Sequence, residues 1–448
     1  MSRRRLVLPL LAALLLTASA SAKYVKIAGA PGFGPAKYAS LHVEKFGKPS
    51  AKNVLVLIPG TFAGSGSFYG IGGWLSQHVP NLQVWAIDRR PNQFEDTSYM
   101  VKGINGQITG KQLFDYYLGW IGDSSIQPHY QPLDDSQYQF AKQWGLKLAM
   151  EDTRRVILAA KKGGHHVILG GHSLGASSVY DYAVWDFAGH AGYKDLVGMV
   201  AIDGGGMGDS ENLADAQKAK SDLDSGKSPW LDLLGIGLPW ASGVFQETGA
   251  IGAMQDPDSA SIGQASPLLP DEFKPKVPAT NKSLFGYAFD YRTSPAALGL
   301  IHIHSGHVSD TADANGLHGW VDDGITPIER FAMIGSHEPG NFTEWYYPKR
   351  LTIDVGAAKS LIKDPATTYL GLRTWHAKQV NLPLYVFQTD LSQGRVIAGA
   401  KAFVAYSKVP WHVYVDRTKT YSHLDPLAAT PAKNDFLKTV VPFLKRLP

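Results

Sequence analysis

Ser173 lies between two glycines, in the segment Gly171–Gly175 (Gly-His-Ser-Leu-Gly), and its surroundings indicate a nucleophile. A buried-strand pattern at 167–169 (Val-Ile-Leu) runs into this segment and a helical pattern leaves it, which predicts a sharp strand-to-helix turn. Such a turn strains the backbone of the serine, and the flanking glycines clear the neighbouring strand and helix. The free N–H groups that begin the helix stabilise developing negative charge. The pattern therefore favours a reactive Ser173 over an idle serine in a glycine-rich turn.

The elements that must position Ser173 alternate between strand and helix. Continuous apolar runs indicate strands covered on both faces, as in a parallel sheet. The first residues, 23–44, alternate instead and predict an antiparallel opening pair. Strands are predicted at 54–58, 82–87, 165–170, 196–202, 384–387 and 412–415, and helices at 137–162, 175–186 and 434–447. This order predicts a doubly wound, mostly parallel α/β sheet.

The alternation stops for a long stretch in the middle of the chain, which is rich in Pro, Gly, Asp and Ser. We predict a core at 23–205 and 381–448, interrupted by a cap or lid insertion at 206–380, after an export signal at 1–22. The insertion is far longer than an ordinary connection between a strand and a helix, and long connections of this kind usually cover a site.

The strand–turn–helix pattern around Ser173 resembles that of the α/β-hydrolase superfamily, which includes secreted lipases and esterases. The resemblance covers roughly 54–203 and the segment from Leu384 to the end, and it leaves the insertion unassigned. It implies the α/β-hydrolase fold, a doubly wound and mostly parallel sheet with a large cap. Its motifs are specific to the superfamily and not to any one substrate.

Acyl transfer needs two donors for the oxygen that becomes negative. The resemblance implies that one is the backbone N–H of Leu174, the residue after the nucleophile. The second should come from the loop at 58–64, where Pro59-Gly60 stands in the place of the His-Gly of many hydrolases. The Pro-Gly-Thr form is similar to that of certain microbial lipases, which implies Thr61 as the second donor and Phe62 as the alternative. The same residues could also form only a turn.

A serine needs an imidazole base at neutral pH, because its own pKa is too high. In the superfamily the order is serine, acid, histidine, and the histidine follows the last strand, which implies His423 as the base. Asp390 follows the strand 384–387, where the superfamily most often places the acid. Asp203 ends the preceding strand, where some lipases place it. We predict Asp390 as the acid, with Asp203 as the alternative.

Other polar and aromatic clusters have less definite roles. The segment 302–307 (His-Ile-His-Ser-Gly-His) lacks a matching carboxylate spacing, so a polar surface is predicted in preference to a metal site. The segment 344–348 (Glu-Trp-Tyr-Tyr-Pro) could line an apolar pocket or form the insertion's own core. His172 is expected to point away from the nucleophile and to bond locally. Asp425, too close to His423 to be its partner, is expected to cap the last helix.

The N-terminus has the pattern of an export signal. Arg3, Arg4 and Arg5 precede the aliphatic run Leu6–Leu16, and 20–22 (Ala-Ser-Ala) offers a cleavage site. The run is shorter than the roughly 20 residues of a membrane span. We predict a secreted or periplasmic protein without a stable membrane anchor, exported by the Sec or the twin-arginine route. Loss of three arginines lowers the formal net charge from +4 to +1 (4 − 3), which gives no electrostatic basis for binding nucleic acid.

The chain has no cysteine, which excludes disulfides, thiolate nucleophiles and cysteine-ligated zinc. The predicted function is an exported serine hydrolase that cleaves small-molecule or lipid-like carboxylic esters through an acyl-enzyme on Ser173. This chemistry requires no metal and no organic cofactor. A secreted peptidase or amidase is the alternative, because the same residues attack amides. A non-catalytic binding protein on the same scaffold conflicts with a complete set of nucleophile, base and acid.

Overall fold

The computed structural model describes residues 22–448. The expected export signal therefore lies outside the described residues, apart from Ala22. The described residues form twelve strands: β1 (Lys23–Ala28), β2 (Ser40–Phe46), β3 (Asn53–Ile58), β4 (Leu82–Asp88), β5 (His166–His172), β6 (Asp186–Phe187), β7 (His190–Ala191), β8 (Gly198–Ile202), β9 (Gly306–Ala312), β10 (His318–Asp322), β11 (Leu384–Gln388) and β12 (His412–Asp416).

Sixteen α-helices lie between and around these strands in the described range: α1 (Tyr69–His78), α2 (Ser98–Ile104), α3 (Gly110–Phe114), α4 (Trp120–Gly122), α5 (Leu146–Lys162), α6 (Leu174–Val184), α7 (Leu213–Ser225), α8 (Ala241–Gln255), α9 (Ile262–Ala265), α10 (Asn281–Phe289), α11 (Ile328–Gly335), α12 (Lys349–Ala358), α13 (Pro365–Leu370), α14 (Arg395–Tyr406), α15 (Asp425–Ala428) and α16 (Asp435–Leu444). Short 3-10 helices precede several of them, including Ser65–Phe68 and Asp135–Gln143.

Eight of the strands form one twisted sheet in the order β1-β2-β4-β3-β5-β8-β11-β12. The pairs β1–β2 and β2–β4 are antiparallel, and every later pair is parallel. The prediction of a doubly wound, mostly parallel sheet is confirmed. Two short antiparallel hairpins, β6–β7 and β9–β10, stand apart from it.

Strand β3 shows why the apolar runs of this sequence are continuous. Val54 and Val56 pack on one face of the sheet with residues of α5, α6 and α12, whereas Leu55 and Leu57 pack on the other with residues of α1 and α16. Successive side chains of a strand point to opposite faces, so a sheet covered on both faces buries all of them. Each such side chain stabilises the fold by about 1.5–3 kcal/mol, which makes this strand a firm support for the loop that follows it.

The helix predicted at 137–162 is interrupted, and the prediction of one helix is wrong. A 3-10 helix ends at Gln143, and α5 begins at Leu146 after the extended residue Gly145. The carboxylate of Asp354 accepts the N–H of Leu146 at 3.0 Å, and a Cβ at Gly145 would lie 2.1 Å from the same carboxylate. The Asp354 side chain therefore both starts the helix and excludes a side chain at Gly145.

The layer that covers the carboxyl ends of the strands comes from two connections. Within the described chain, no residue between Asp203 and Pro383 joins the main sheet. Helix α8 of this segment packs against α2 and α3, which belong to the earlier connection between β4 and α5. Helix α12, in contrast, packs on the face of the sheet like an ordinary crossover helix. In the part that the structure describes, no helix is long and apolar enough to cross a membrane.

Candidate active site

Ser173 occupies the turn between β5 and α6 with a positive φ of 57° and ψ of −125°. A Cβ at Gly171 would lie 2.3 Å from the carbonyl oxygen of Gly175, and a Cβ at Gly175 would lie 2.0 Å from that of Ile58. Any side chain at either glycine would therefore clash with backbone. The N–H of Ser173 donates to Ile202 at 2.9 Å, which ties the strained residue to β8.

His423 pairs with Asp203 in the interior of the protein. The Nδ1 of His423 lies 2.5 Å from Oδ2 of Asp203, and the two residues are 1% and 4% exposed. The backbone N–H of Thr389 donates to Oδ1 of Asp203 at 2.8 Å, and the Thr389 hydroxyl donates to Oδ2. Burial raises the pKa of Asp203, but the hydrogen bonds from His423 and Thr389 outweigh it and the net shift is downward. Asp203 is thus held as a carboxylate on the imidazole.

Asp390 does not reach His423, and the preference for Asp390 as the acid is corrected. Its carboxylate accepts instead from the Ser422 hydroxyl at 2.9 Å. The reason lies in the strand order, because β8 adjoins β5 whereas β11 is one strand further from the nucleophile. Burial raises the pKa of Asp390, against a lowering contribution from Ser422. The end of β11 therefore supplies Thr389, which orients Asp203. It does not supply the carboxylate that pairs with His423.

The sequence carried a sign that Asp203 adjoins the nucleophile. Asp203 itself has a positive φ of 46°, and three glycines follow it. A Cβ at Gly204 would lie 2.0 Å from the carbonyl oxygen of Ser173. The glycine run is therefore needed because the chain after Asp203 passes against the turn that carries Ser173.

His172 bonds across the site rather than locally. Its Nε2 lies 2.9 Å from the carbonyl oxygen of His423, and the two imidazole rings have centroids 4.3 Å apart. Burial, together with the nearby His423, lowers the pKa of His172 to about 3. A neutral His172 therefore donates to the backbone of His423. Ser173 and His423 line one cavity, although no hydrogen bond joins the Ser173 hydroxyl to any described residue; such bonds are often long in unliganded enzymes.

The loop after β3 lies against Ser173. A Cβ at Gly60 would be 2.9 Å from the Cβ of Ser173, and Thr61 and Phe62 line the cavity beside it. Phe62 has a positive φ of 55°. The backbone N–H groups of Thr61, Phe62 and Leu174 donate to no group within residues 22–448, so all three remain available to an oxyanion.

Arg89, which was not predicted as a site residue, fixes the loop after β3 and does not line the cavity. Its guanidinium donates to the carbonyl oxygens of Pro59, Gly60 (3.0 Å) and Ala63 (3.0 Å). The N–H of a trans peptide points opposite to its C=O, so the bond to Gly60 turns the Thr61 N–H away from Arg89. Glu344 accepts from Arg89 at 2.9 Å in turn. The only signal in the sequence was a charged residue immediately after the buried strand β4.

The cavity extends from Ser173 under the covering layer and has about 1490 Å³ of empty space, its open mouth included. Helices α8 and α10 supply much of its wall, together with phenylalanine and leucine side chains of the loops. Among the described residues that line it, none is Asp, Glu, Lys or Arg. The cavity is therefore suited to a neutral, apolar group.

The remaining clusters lie elsewhere. Trp345, Tyr346 and Tyr347 are buried in the protein core and do not line the cavity. Asp425 does not cap the final helix, since Asn434 takes that place. The segment 302–307 is only partly surface, because His302 is buried. In the described portion of the chain, no group of three or more Asp, Glu and His side chains could hold a metal ion.

The chain has the α/β-hydrolase fold. The solved structures that resemble it include a candidate lipase from Sulfolobus solfataricus, with a TM-score of 0.52 and 15% identity over 94% of this chain and 93% of that one. They also include epoxide hydrolase A from Mycobacterium thermoresistibile (TM-score 0.45, 11% identity, 96% and 99% covered) and a monoacylglycerol lipase from Paleococcus ferrophilus (TM-score 0.40, 11% identity, 91% and 98% covered). No family model and no curated protein matches the sequence.

Proposed function

We propose that the protein is a serine hydrolase that cleaves carboxylic esters through an acyl-enzyme on Ser173. The observation that carries the proposal is the buried pair of His423 and Asp203, whose histidine lines the same cavity as a serine held on a strained turn. A nucleophile, a base and an acid that orients the base are the parts that acyl transfer requires.

In the proposed reaction the Ser173 oxygen attacks the ester carbonyl carbon while His423 takes its proton at Nε2. Asp203 accepts the Nδ1–H and stabilises the imidazolium. The N–H groups of Leu174 and Thr61 hold the oxyanion, with Phe62 as the alternative to Thr61. His423 then gives its proton to the departing alcohol. A water attacks the acyl-enzyme with His423 again as base, which releases the acid and restores the Ser173 hydroxyl.

The cavity supports an apolar ester in preference to a peptide. A peptidase that admits a chain terminus would need a charged or strongly polar group to pair with that terminus, since an unpaired buried charge is costly. The described lining offers no charged side chain. The wall follows α8 from Ser242 to Gly252, about 15 Å along the helix axis, the length of an extended hydrocarbon of roughly twelve carbons. The proposed substrates are therefore esters of medium to long hydrocarbon chains.

A serine-reactive fluorophosphonate should label the wild-type protein and should not label Ser173→Ala. Ser177→Ala, one turn further along α6 and outside the cavity, should be labelled like the wild type. The same proteins should be compared on nitrophenyl esters and aminoacyl anilides. An unlabelled wild type would contradict the nucleophile, and faster cleavage of anilides than of esters would favour the amidase alternative.

Replacement of Gly252 by leucine should shorten the preferred acyl chain. Gly252 lines the cavity, and a Cβ there would have 3.8 Å to the side chain of Asn281, so the added side chain fits but occupies space. We expect kcat/KM for nitrophenyl hexadecanoate to fall about 10- to 100-fold, with nitrophenyl acetate little changed. Gln255→Leu, which places the same side chain on the exposed side of α8, is the matched control. An equal loss on both esters would argue against the hydrocarbon site.

A further inference from the structure

Asp425, two residues after His423, is completely buried and takes four hydrogen bonds. Its Oδ1 accepts from the His304 N–H at 3.0 Å and from the Thr326 hydroxyl at 2.6 Å. Its Oδ2 accepts from the Ser422 N–H at 2.7 Å and lies 2.7 Å from Nδ1 of His304. Two of the four donors belong to one histidine of the insertion. A buried carboxylate that is satisfied in this way is a rigid junction, because the loss of any partner leaves a polar group unpaired.

This junction lies beside the imidazole that acts as the base. The segment on one side of His423 is fixed through the Ser422 N–H, which bonds to Asp425. On the other side, the Leu424 N–H donates to the carbonyl oxygen of His302 at 3.1 Å. The Asp203 bond fixes only the ring of His423, whereas these bonds fix the backbone that carries it. The insertion thus bonds directly to the backbone after His423 and, through Asp425, to the backbone before it.

The same edge of the insertion is bonded to the chain beyond His423. The Thr430 N–H donates to the carbonyl oxygen of Ile325 at 3.0 Å, and the Arg330 guanidinium donates to that of Ala428 at 2.8 Å. This edge is therefore fixed against the chain on both sides of His423. Neither Asp425 nor His304 lines the cavity, so neither contacts a substrate bound there.

We propose that Asp425 and His304 are positioning residues for the loop between β12 and α15, which carries His423 (the His423 loop). From the side of the insertion they hold this loop in its reactive geometry. The proposal rests on the proposed hydrolase function. Because the pair acts through His423 and stands outside the cavity, its loss should slow the proton transfers without weakening substrate binding. Misplacement of a catalytic group by about 1 Å can cost on the order of 100-fold in rate.

Asp425→Asn and His304→Ala should each lower kcat per active site about 10- to 100-fold on a nitrophenyl ester, with KM nearly unchanged. Active sites are counted by fluorophosphonate titration, so a misfolded fraction does not enter kcat. His304→Gln, whose side-chain amide can still donate to Asp425, should recover most of the activity. The double variant should be no slower than Asp425→Asn alone, because both residues serve one junction.

His307→Ala is the matched control. His307 bonds to Asp323 at 3.0 Å, but this pair is exposed and does not contact the His423 loop. The His307→Ala variant should keep the wild-type kcat. Wild-type kcat per labelled site in both His304→Ala and Asp425→Asn would overturn the proposal while the hydrolase function stands; an unlabelled wild type would instead remove that function. If Asp425→Asn does not fold, His304→Ala and Thr326→Val decide the question by the same criterion.

Discussion

Asp203→Asn is expected to lower kcat for ester hydrolysis by about 10⁴-fold with little change in KM. The two donors of Thr389 hold both carboxylate oxygens of Asp203, so an asparagine keeps the shape of the site. Its one side-chain oxygen can accept from the Thr389 N–H, but the NH2 group that replaces Oδ2 is a donor and cannot accept from Nδ1 of His423. The imidazole would then favour the tautomer with hydrogen on Nε2, which cannot take the proton of Ser173.

Asp390→Asn is the matched control for this substitution. Its carboxylate contacts Ser422 and not His423, so an asparagine oxygen can still accept from the Ser422 hydroxyl. We expect kcat to fall less than about tenfold, as for a residue outside the proton path. Steady-state kinetics on one nitrophenyl ester measures both variants. A loss of several orders of magnitude confined to Asp390→Asn would return the role of the acid to that residue.

Arg89→Met should lower kcat about 10²- to 10³-fold, the cost of one misdirected oxyanion donor. Methionine fills a similar volume but releases the carbonyl groups of the loop, among them that of Gly60. The Thr61 N–H then loses the orientation that the trans peptide gave it. Affinity for a phosphonate that mimics the tetrahedral intermediate should fall in parallel with kcat, whereas KM should change little.

Arg89→Met also removes the cation that pairs with Glu344. Burial raises the pKa of Glu344 to about 7 even beside Arg89, and removal of the cation leaves that carboxyl without its partner. The double variant Arg89→Met with Glu344→Gln removes both charges and keeps the loop unsupported. It should remain as slow as the single variant. Recovery of wild-type kcat in the double variant would show that the unpaired carboxyl, and not the loop, caused the loss.

The sequence predicted those features that depend on neighbours along the chain. The continuous apolar run of β3 and the strand–turn–helix at Ser173 are local patterns, and the fold follows from their alternation. The aspartate that pairs with His423 was wrongly predicted because the choice between Asp203 and Asp390 depends on strand order, which periodicity does not reveal. The glycines after Asp203 gave a usable signal, since a run of small residues at a strand end indicates close backbone contact.

The bonds of Arg89, His304 and Asp425 were not predicted because they also depend on contacts between distant parts of the chain. Arg89 contacts Gly60 only because β4 lies beside β3, and nothing in the local sequence around either residue indicates the bond. His304 and Asp425 are 121 positions apart, so nothing in the sequence near either residue indicated their bond. The covering layer also includes residues of the irregular segment before α5, where the hydrophobic pattern has no clear period.

The hydrogen bonds of the insertion divide it at His302. The portion before His302 can be redesigned, whereas the portion at 302–330 must be kept. Helices α8 and α10 shape the cavity without bonding to the loop that carries His423, so a grafted segment that ends before His302 is expected to change the specificity. A graft that extended through 302–330 would replace the segment whose hydrogen bonds fix the loop around His423. Natural variation should follow the same boundary, with free drift in the first portion and joint change of His304 and Asp425 in the second.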